Sequence, residues 1–219
     1  MKGLFRTLVI VAAAWSASSL GYFWLLPVLG VTDGYNQAPV AFAAYYGAWG
    51  AAVFAILRRR LFAQVNSTVA RAHLLPAAAL AAAFALFASV GLPNLPGMRP
   101  LGEQGPSEVH FATPAYFLPK SMEILFQQIL AAAIVLELRA HDLSLRAITL
   151  LVSLMFGGFH LTLVYVYGEA SFAYRFTVAA LLFGATIPYL MLRVPRGFLL
   201  SFGVHWCFYA WLALLNTPP

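Results

Sequence analysis

The chain has 219 residues, 62% of them hydrophobic and 9% charged, with a formal net charge of +6 and a mean hydropathy of +0.82. A soluble domain carries about a quarter of its residues as charges, so this composition excludes a soluble fold, and the positive balance reads as membrane topology rather than nucleic-acid affinity. The single cysteine, Cys207, excludes an intrachain disulfide framework and a multi-cysteine metal site; in its apolar run it reads as an inert buried thiol.

Lys2 and Arg6 open the chain, and the small residues from Ala12 to Ser19 resemble a cleavable signal. The apolar run nevertheless continues through Tyr22-Phe23-Trp24-Leu25-Leu26 to Leu29, a length that suits a retained spanning helix better than a short signal core. Together with six later segments it gives spans near 5–29, 38–57, 72–93, 116–138, 146–167, 172–193 and 197–215. Each approaches the roughly 20 residues that a hydrocarbon core of about 30 Å requires. The expected fold is an all-α polytopic membrane bundle of about seven transmembrane helices, one integral membrane domain over 1–219. Residues 93–115 hold Pro93, Pro96, Pro100, Pro106 and Pro114 with Glu103 and Glu108, which predicts an irregular loop.

With the N-terminus inside, one side collects Lys2, Arg6, Arg58, Arg59, Arg60, Arg71, Arg139, Arg146, Arg193 and Arg196. The other side has Arg99, with Lys120 and Arg175 near helix ends, and receives Asp33, Glu103, Glu108 and Glu169. The positive-inside rule therefore places the C-terminus outside, in a multi-pass protein expected in a bacterial inner (plasma) membrane. Gly157-Gly158 and the Ala180-x-x-x-Gly184 pair predict close helix contacts. Pro188 is expected either to kink the sixth helix or to pack within it.

Three polar side chains in these apolar runs need an explanation. Glu123 lies in Ser121-Met122-Glu123-Ile124-Leu125-Phe126-Gln127-Gln128, and His160 and His205 lie in later runs. A charge near the bilayer centre costs about 2.5–3.5 kcal/mol even on lenient insertion scales, so such residues normally face a protein interior or a water-filled cavity. At about 1.5 Å per residue, the segment limits put Glu123 roughly 5–11 Å, His160 about 10 Å and His205 roughly 15 Å below the outer edge. That near-common level is expected of residues sharing a cavity open to the outer face. A carboxylate and an imidazole in such a pocket form a general acid/base pair that can activate water, and a second imidazole can stabilise an oxyanion. Bland readings stand beside this one. Each histidine alone can bond a neighbouring helix, and Glu123 can pair with Lys120 at i,i+3. Glu137 beside Arg139 needs only a local ion pair, and His73, His110 and His141 receive no role.

The last four helices, residues 116–215, resemble the CPBP family of CAAX-protease and bacteriocin-processing intramembrane proteases, also called Abi. The family pattern is E-E-x-x-x-R, then F-x-x-x-H, a spacer helix, and H-x-x-x-N or D. Phe156-Gly157-Gly158-Phe159-His160 matches the second motif, His205 falls where the third belongs, and Phe183-Gly184 to Arg193 looks like the spacer helix. Here Glu123 stands alone, Gln127 or Gln128 replaces the arginine, and Tyr209 replaces the final Asn or Asp.

The resemblance implies a glutamic-type protease without a cofactor. Glu123 would be the general base, His160 would orient the water, and His205 with Tyr209 would form the oxyanion side. Gln127 and Gln128 would support Glu123, and losing the arginine would remove one force that keeps the carboxylate ionised. The implied partner is a membrane-anchored polypeptide, cleaved near the outer face at an anchor or C-terminal sorting signal; the first three helices, 1–93, would be accessory. Three alternatives remain open. His160 and His205 are spaced to ligate a b-type haem. Glu123, His160 and His205 form a two-histidine, one-carboxylate set for zinc. The scaffold also suits a non-catalytic membrane partner or immunity protein.

Overall fold

The computed structural model describes residues 2–32, 34–63, 114–164 and 170–216, with isolated positions 75, 79, 86 and 90. The span expected at 72–93, but for those four positions, and residues 93–113 of the proline-rich loop lie outside the described residues. So do Asp33, Arg71, His73, Arg99, Glu103, Glu108, His110 and Glu169. The described elements are α1 (Lys2–Leu29), α2 (Gly34–Gln37), α3 (Pro39–Ala63), a 3-10 turn (Pro114–Tyr116), α4 (Phe117–Ala140), α5 (Leu145–Leu161), α6 (Ala170–Arg193) and α7 (Gly197–Asn216). Among the described residues there is no strand, and the chain is all-α.

Four stretches are long and apolar enough to cross a membrane: Gly3–Leu29, Pro39–Arg58, Pro114–Ala140 and Ala173–Arg193. The protein is an integral membrane protein with its apolar helices in the bilayer. Of the expected 146–167 segment, α5 covers the part to Leu161; Leu163 and Val164 are also helical, while residues 165–167 lie outside the described residues. The run is interrupted at Thr162, whose hydroxyl donates to the Phe159 carbonyl at 2.6 Å and whose amide donates to the same oxygen at 3.1 Å. A side chain that competes for helix carbonyls in this way favours a local break. His160 is in the last turn before it. α6 runs unbroken through Pro188.

The chain divides into two compact units, Met1–Ser67 with Ala112–Leu143, and Thr68–Phe111 with Ser144–Pro219. In the first unit α4 is the buried helix: Ile124, Phe126 and the run from Leu130 to Val135 are all inside. α3 lies parallel to it, with Gly47 facing Met122 and Gly50 facing Phe126 and Ile129. α1 is antiparallel to α3: Tyr22 contacts Phe42, and the Tyr45 hydroxyl donates to the Ser18 carbonyl at 2.8 Å. These directions bring Lys2, Arg6, Arg58 and Arg139 to one end of the unit. Glu137 turns inward while Arg139 is exposed, because residues two apart on a helix point to different sides. The expected Glu137–Arg139 pair does not form, and the His141 ring nitrogen lies 3.8 Å from the Glu137 carboxylate instead. α4 ends through Asp142 at φ 58°, and Ser144 caps α5 by accepting the Ala147 amide at 3.3 Å.

In the second unit α5 and α6 are antiparallel and very close. A Cβ on Gly184 would stand 2.9 Å from Ser153 Cα and 3.1 Å from the Val152 carbonyl; one on Gly157 would stand 2.4 Å from Leu181 side-chain atoms. Ser153 Oγ, between them, donates to the Leu181 carbonyl at 2.6 Å. Gly184→Val is expected to weaken this pairing by about 1–3 kcal/mol through overpacking, read as a lower melting temperature in detergent. Gly158→Ala, whose methyl would meet nothing within 4 Å, should be neutral or slightly stabilising. α7 runs antiparallel to α6, with Phe183 against His205 and Phe176 against Phe208. Arg146, Arg193 and Arg196 thus share one end of this unit. Cys207 is exposed on α7, so the expected buried thiol lies instead on the outer face of an apolar helix.

Candidate functional site

In the first unit the site is built on one face of α4. Lys120, Glu123 and Gln127 are spaced i−3, i and i+4, which stacks them on one side. The Glu123 carboxylate accepts from Lys120 Nζ at 2.7 Å and from Gln127 Nε2 at 2.9 Å. A third donor comes from 88 residues upstream, the Tyr35 hydroxyl, 2.9 Å from Glu123 Oε2. Tyr35 stands on α2, a single turn. Gly30 at φ 66° ends α1, and the Thr32 amide donates to Gln37 Oε1 at 2.9 Å, closing the loop that carries it. The Tyr35 ring is buried among Tyr22, Phe42, Tyr46 and Tyr116. Tyr46 is hydrogen-bonded to Tyr35 and feels the Glu123 charge.

Three consequences follow. The Lys120–Glu123 ion pair is real and mostly buried, with side-chain exposures of 8% and 15%. It is the i,i+3 pair that the spacing offered, and it sets a cation on the N-terminal side of Glu123, where the family's arginine would stand on the C-terminal side. The Lys120 ammonium also stands 5.8 Å from the Tyr35 ring centroid, a favourable cation–π distance. Finally, an ionised carboxylate offers about four lone-pair sites. Lys120 and Tyr35 share Oε2 and Gln127 uses Oε1, so one site on Oε1 is left for a further donor. Of the two glutamines, Gln127 makes the bond to Glu123; Gln128 is wholly buried on another side of α4.

In the second unit His160, His205 and Tyr209 line one small cavity with Phe156, Phe176, Ala179, Ala180, Phe183 and Phe208. Its volume is about 20 Å³, close to the room one water needs. Phe156 stands between the imidazoles, its ring centroid 5.5 Å from His160 and 6.1 Å from His205. Phe183 covers the other side of His205 at 4.6 Å, and Tyr209 lies 5.5 Å from it. His160 Nδ1 is 2.7 Å from the Phe156 carbonyl. A carbonyl only accepts, so Nδ1 carries the hydrogen of the neutral ring and Nε2 keeps its lone pair. The F-x-x-x-H spacing therefore does two things: it sets the ring's tautomer through the backbone of Phe156, and it places the phenyl group as a wall.

The cavity is far below the roughly 300–1,000 Å³ of ordinary ligand pockets. Among the described residues, no three His, Cys, Asp or Glu side chains gather as a metal site. Tyr35 is the site residue that sequence reasoning missed. Its one signal was an aromatic residue in the polar link Thr32-Asp33-Gly34-Tyr35-Asn36-Gln37. No family model, curated protein or solved structure matches the chain.

Proposed function

We propose that the chain is an intramembrane endopeptidase of the CPBP type, acting on membrane-anchored polypeptides at an anchor or C-terminal sorting signal near the outer face of a bacterial inner membrane. The observation that carries this reading is the cavity of the second unit, where two imidazoles and a phenol surround the space of one water inside apolar walls. Such walls strengthen every charge interaction made within them. The roles implied by the family resemblance are assigned unit by unit. In the second unit His160 Nε2 would orient the reacting groups, and His205 with Tyr209 would donate to the developing oxyanion. In the first unit Glu123 would be the general base, through its open Oε1 site, with Tyr35, Lys120 and Gln127 holding the carboxylate in position.

A second reading, a non-catalytic membrane partner on the same scaffold, draws support from the Lys120–Glu123 pair, which by itself accounts for a carboxylate in an apolar helix. Co-expression with a panel of membrane-anchored polypeptides separates the two. Wild type is expected to release truncated products. Glu123→Ala, His160→Ala and His205→Ala should each remain folded and lose cleavage, with about 100-fold or greater effects for each histidine. Normal cleavage by Glu123→Ala would overturn the protease reading.

A further inference from the structure

Gln127 uses only half of its amide in holding Glu123. Its nitrogen must face the carboxylate, because a carboxylate only accepts, and this turns Oε1 the other way. Gln127 is nine-tenths buried, and its Oε1 has no hydrogen-bond partner among the described residues. Buried acceptors are rarely left in that condition, and the usual remedy is an ordered water. An apolar residue would serve if α4 needed only to pack, and a lysine or arginine would serve if Glu123 needed only a donor. An amide is the side chain that supplies both a donor and an acceptor at adjacent atoms.

We infer that Gln127 Oε1, together with the open site on Glu123 Oε1, holds the water that attacks the substrate, making Gln127 a positioning residue for the nucleophile. This rests on the protease reading and deepens it. A water poised for attack must direct both hydrogens away from the carbonyl carbon, so that a lone pair faces it. Two acceptors are required, and these are the two that α4 presents one turn apart. As the water oxygen bonds to the carbonyl carbon, one proton passes to the Glu123 carboxylate. The other hydrogen stays on the attacking oxygen, bonded to Gln127 Oε1. Collapse of the tetrahedral intermediate breaks the C–N bond, and the proton on Glu123 leaves with the amine. The hydrogen held by Gln127 remains on the new carboxyl group and is lost to solvent.

The discriminating variant is Gln127→Lys, which keeps a donor toward Glu123 and removes the acceptor. With a cleaved anchor peptide as substrate, kcat should fall on the order of 100-fold, the usual cost of a misplaced nucleophile, while KM is unchanged. Gln127→Glu, which restores an oxygen, should recover part of the loss. Full kcat in a folded Gln127→Lys enzyme would overturn the inference, provided Glu123→Ala is inactive; if Glu123→Ala also cleaves, it is the protease reading that has failed. An experimental map of the wild type gives a second answer independent of activity and of how the variant folds. Density for a water within hydrogen-bond distance of both Gln127 Oε1 and Glu123 is expected. A well-ordered Gln127 whose Oε1 meets a protein donor or nothing would overturn the inference.

Discussion

Lys120→Ala should destabilise the first unit by about 3–5 kcal/mol, the cost of stranding one member of a buried ion pair. Glu123 would be left mostly buried with two neutral donors, Tyr35 and Gln127, which places the loss at the lower end of that range. The Tyr35 ring would also lose its cation. The double variant Lys120→Met/Glu123→Gln removes both charges at similar volume and should regain most of the stability, since a buried pair is often replaceable by uncharged groups. Thermal unfolding of wild type, Lys120→Met, Glu123→Gln and the double variant in detergent closes the cycle and yields the coupling. If Lys120→Ala melts like wild type, the pair contributes nothing and the short contact has no energetic meaning.

Glu123→Gln should reduce cleavage by up to about 10,000-fold, the upper range for loss of a general base, while perturbing the fold much less than Lys120→Ala. The new amide oxygen can still accept from Lys120 and Tyr35. Its nitrogen would face Gln127, whose amide can rotate so that Oε1 accepts. Lys120 keeps an acceptor and an aromatic face, and its long stem can shift the ammonium toward the interface. A folded, monodisperse Glu123→Gln protein that still releases product would remove Glu123 from the chemistry.

How much of this was visible in the residues depends on the range of the interaction. The helices of both units were legible because apolar runs of spanning length carry their own signal, and the polar cluster on α4 was legible because i,i+3 and i,i+4 spacing is local. The Lys120–Glu123 pair could be weighed from spacing alone. Tyr35 could not, since its contact with Glu123 depends on where a four-residue helix is held by a ring of aromatics from α1, α3 and the Pro114–Tyr116 turn. The grouping of α4 with α1 and α3 was equally hidden. Apolar surfaces of membrane helices look alike, and it is small contacts such as Gly47 on Met122 that select a neighbour. The break at Thr162 was not legible because Leu163 and Val164, which are helical again, are as apolar as the residues before it.

The first unit is assembled from two separated stretches of chain, and this governs the order in which it is made. At synthesis rates of about 5–20 residues per second, the 53 residues from 64 to 116 delay α4 by roughly 3–10 s after α3 is complete. During that interval Tyr22, Tyr35 and Tyr46 wait without Glu123. When α4 arrives, its N-terminal half carries Lys120 and Glu123, two opposite charges that would each be costly in lipid. Their i,i+3 spacing lets Lys120 and Glu123 neutralise one another within a single helical turn, before any tertiary contact exists. The ion pair is therefore also a passport for insertion: it lets a helix bearing a carboxylate enter the membrane and reach the tyrosines that complete its site.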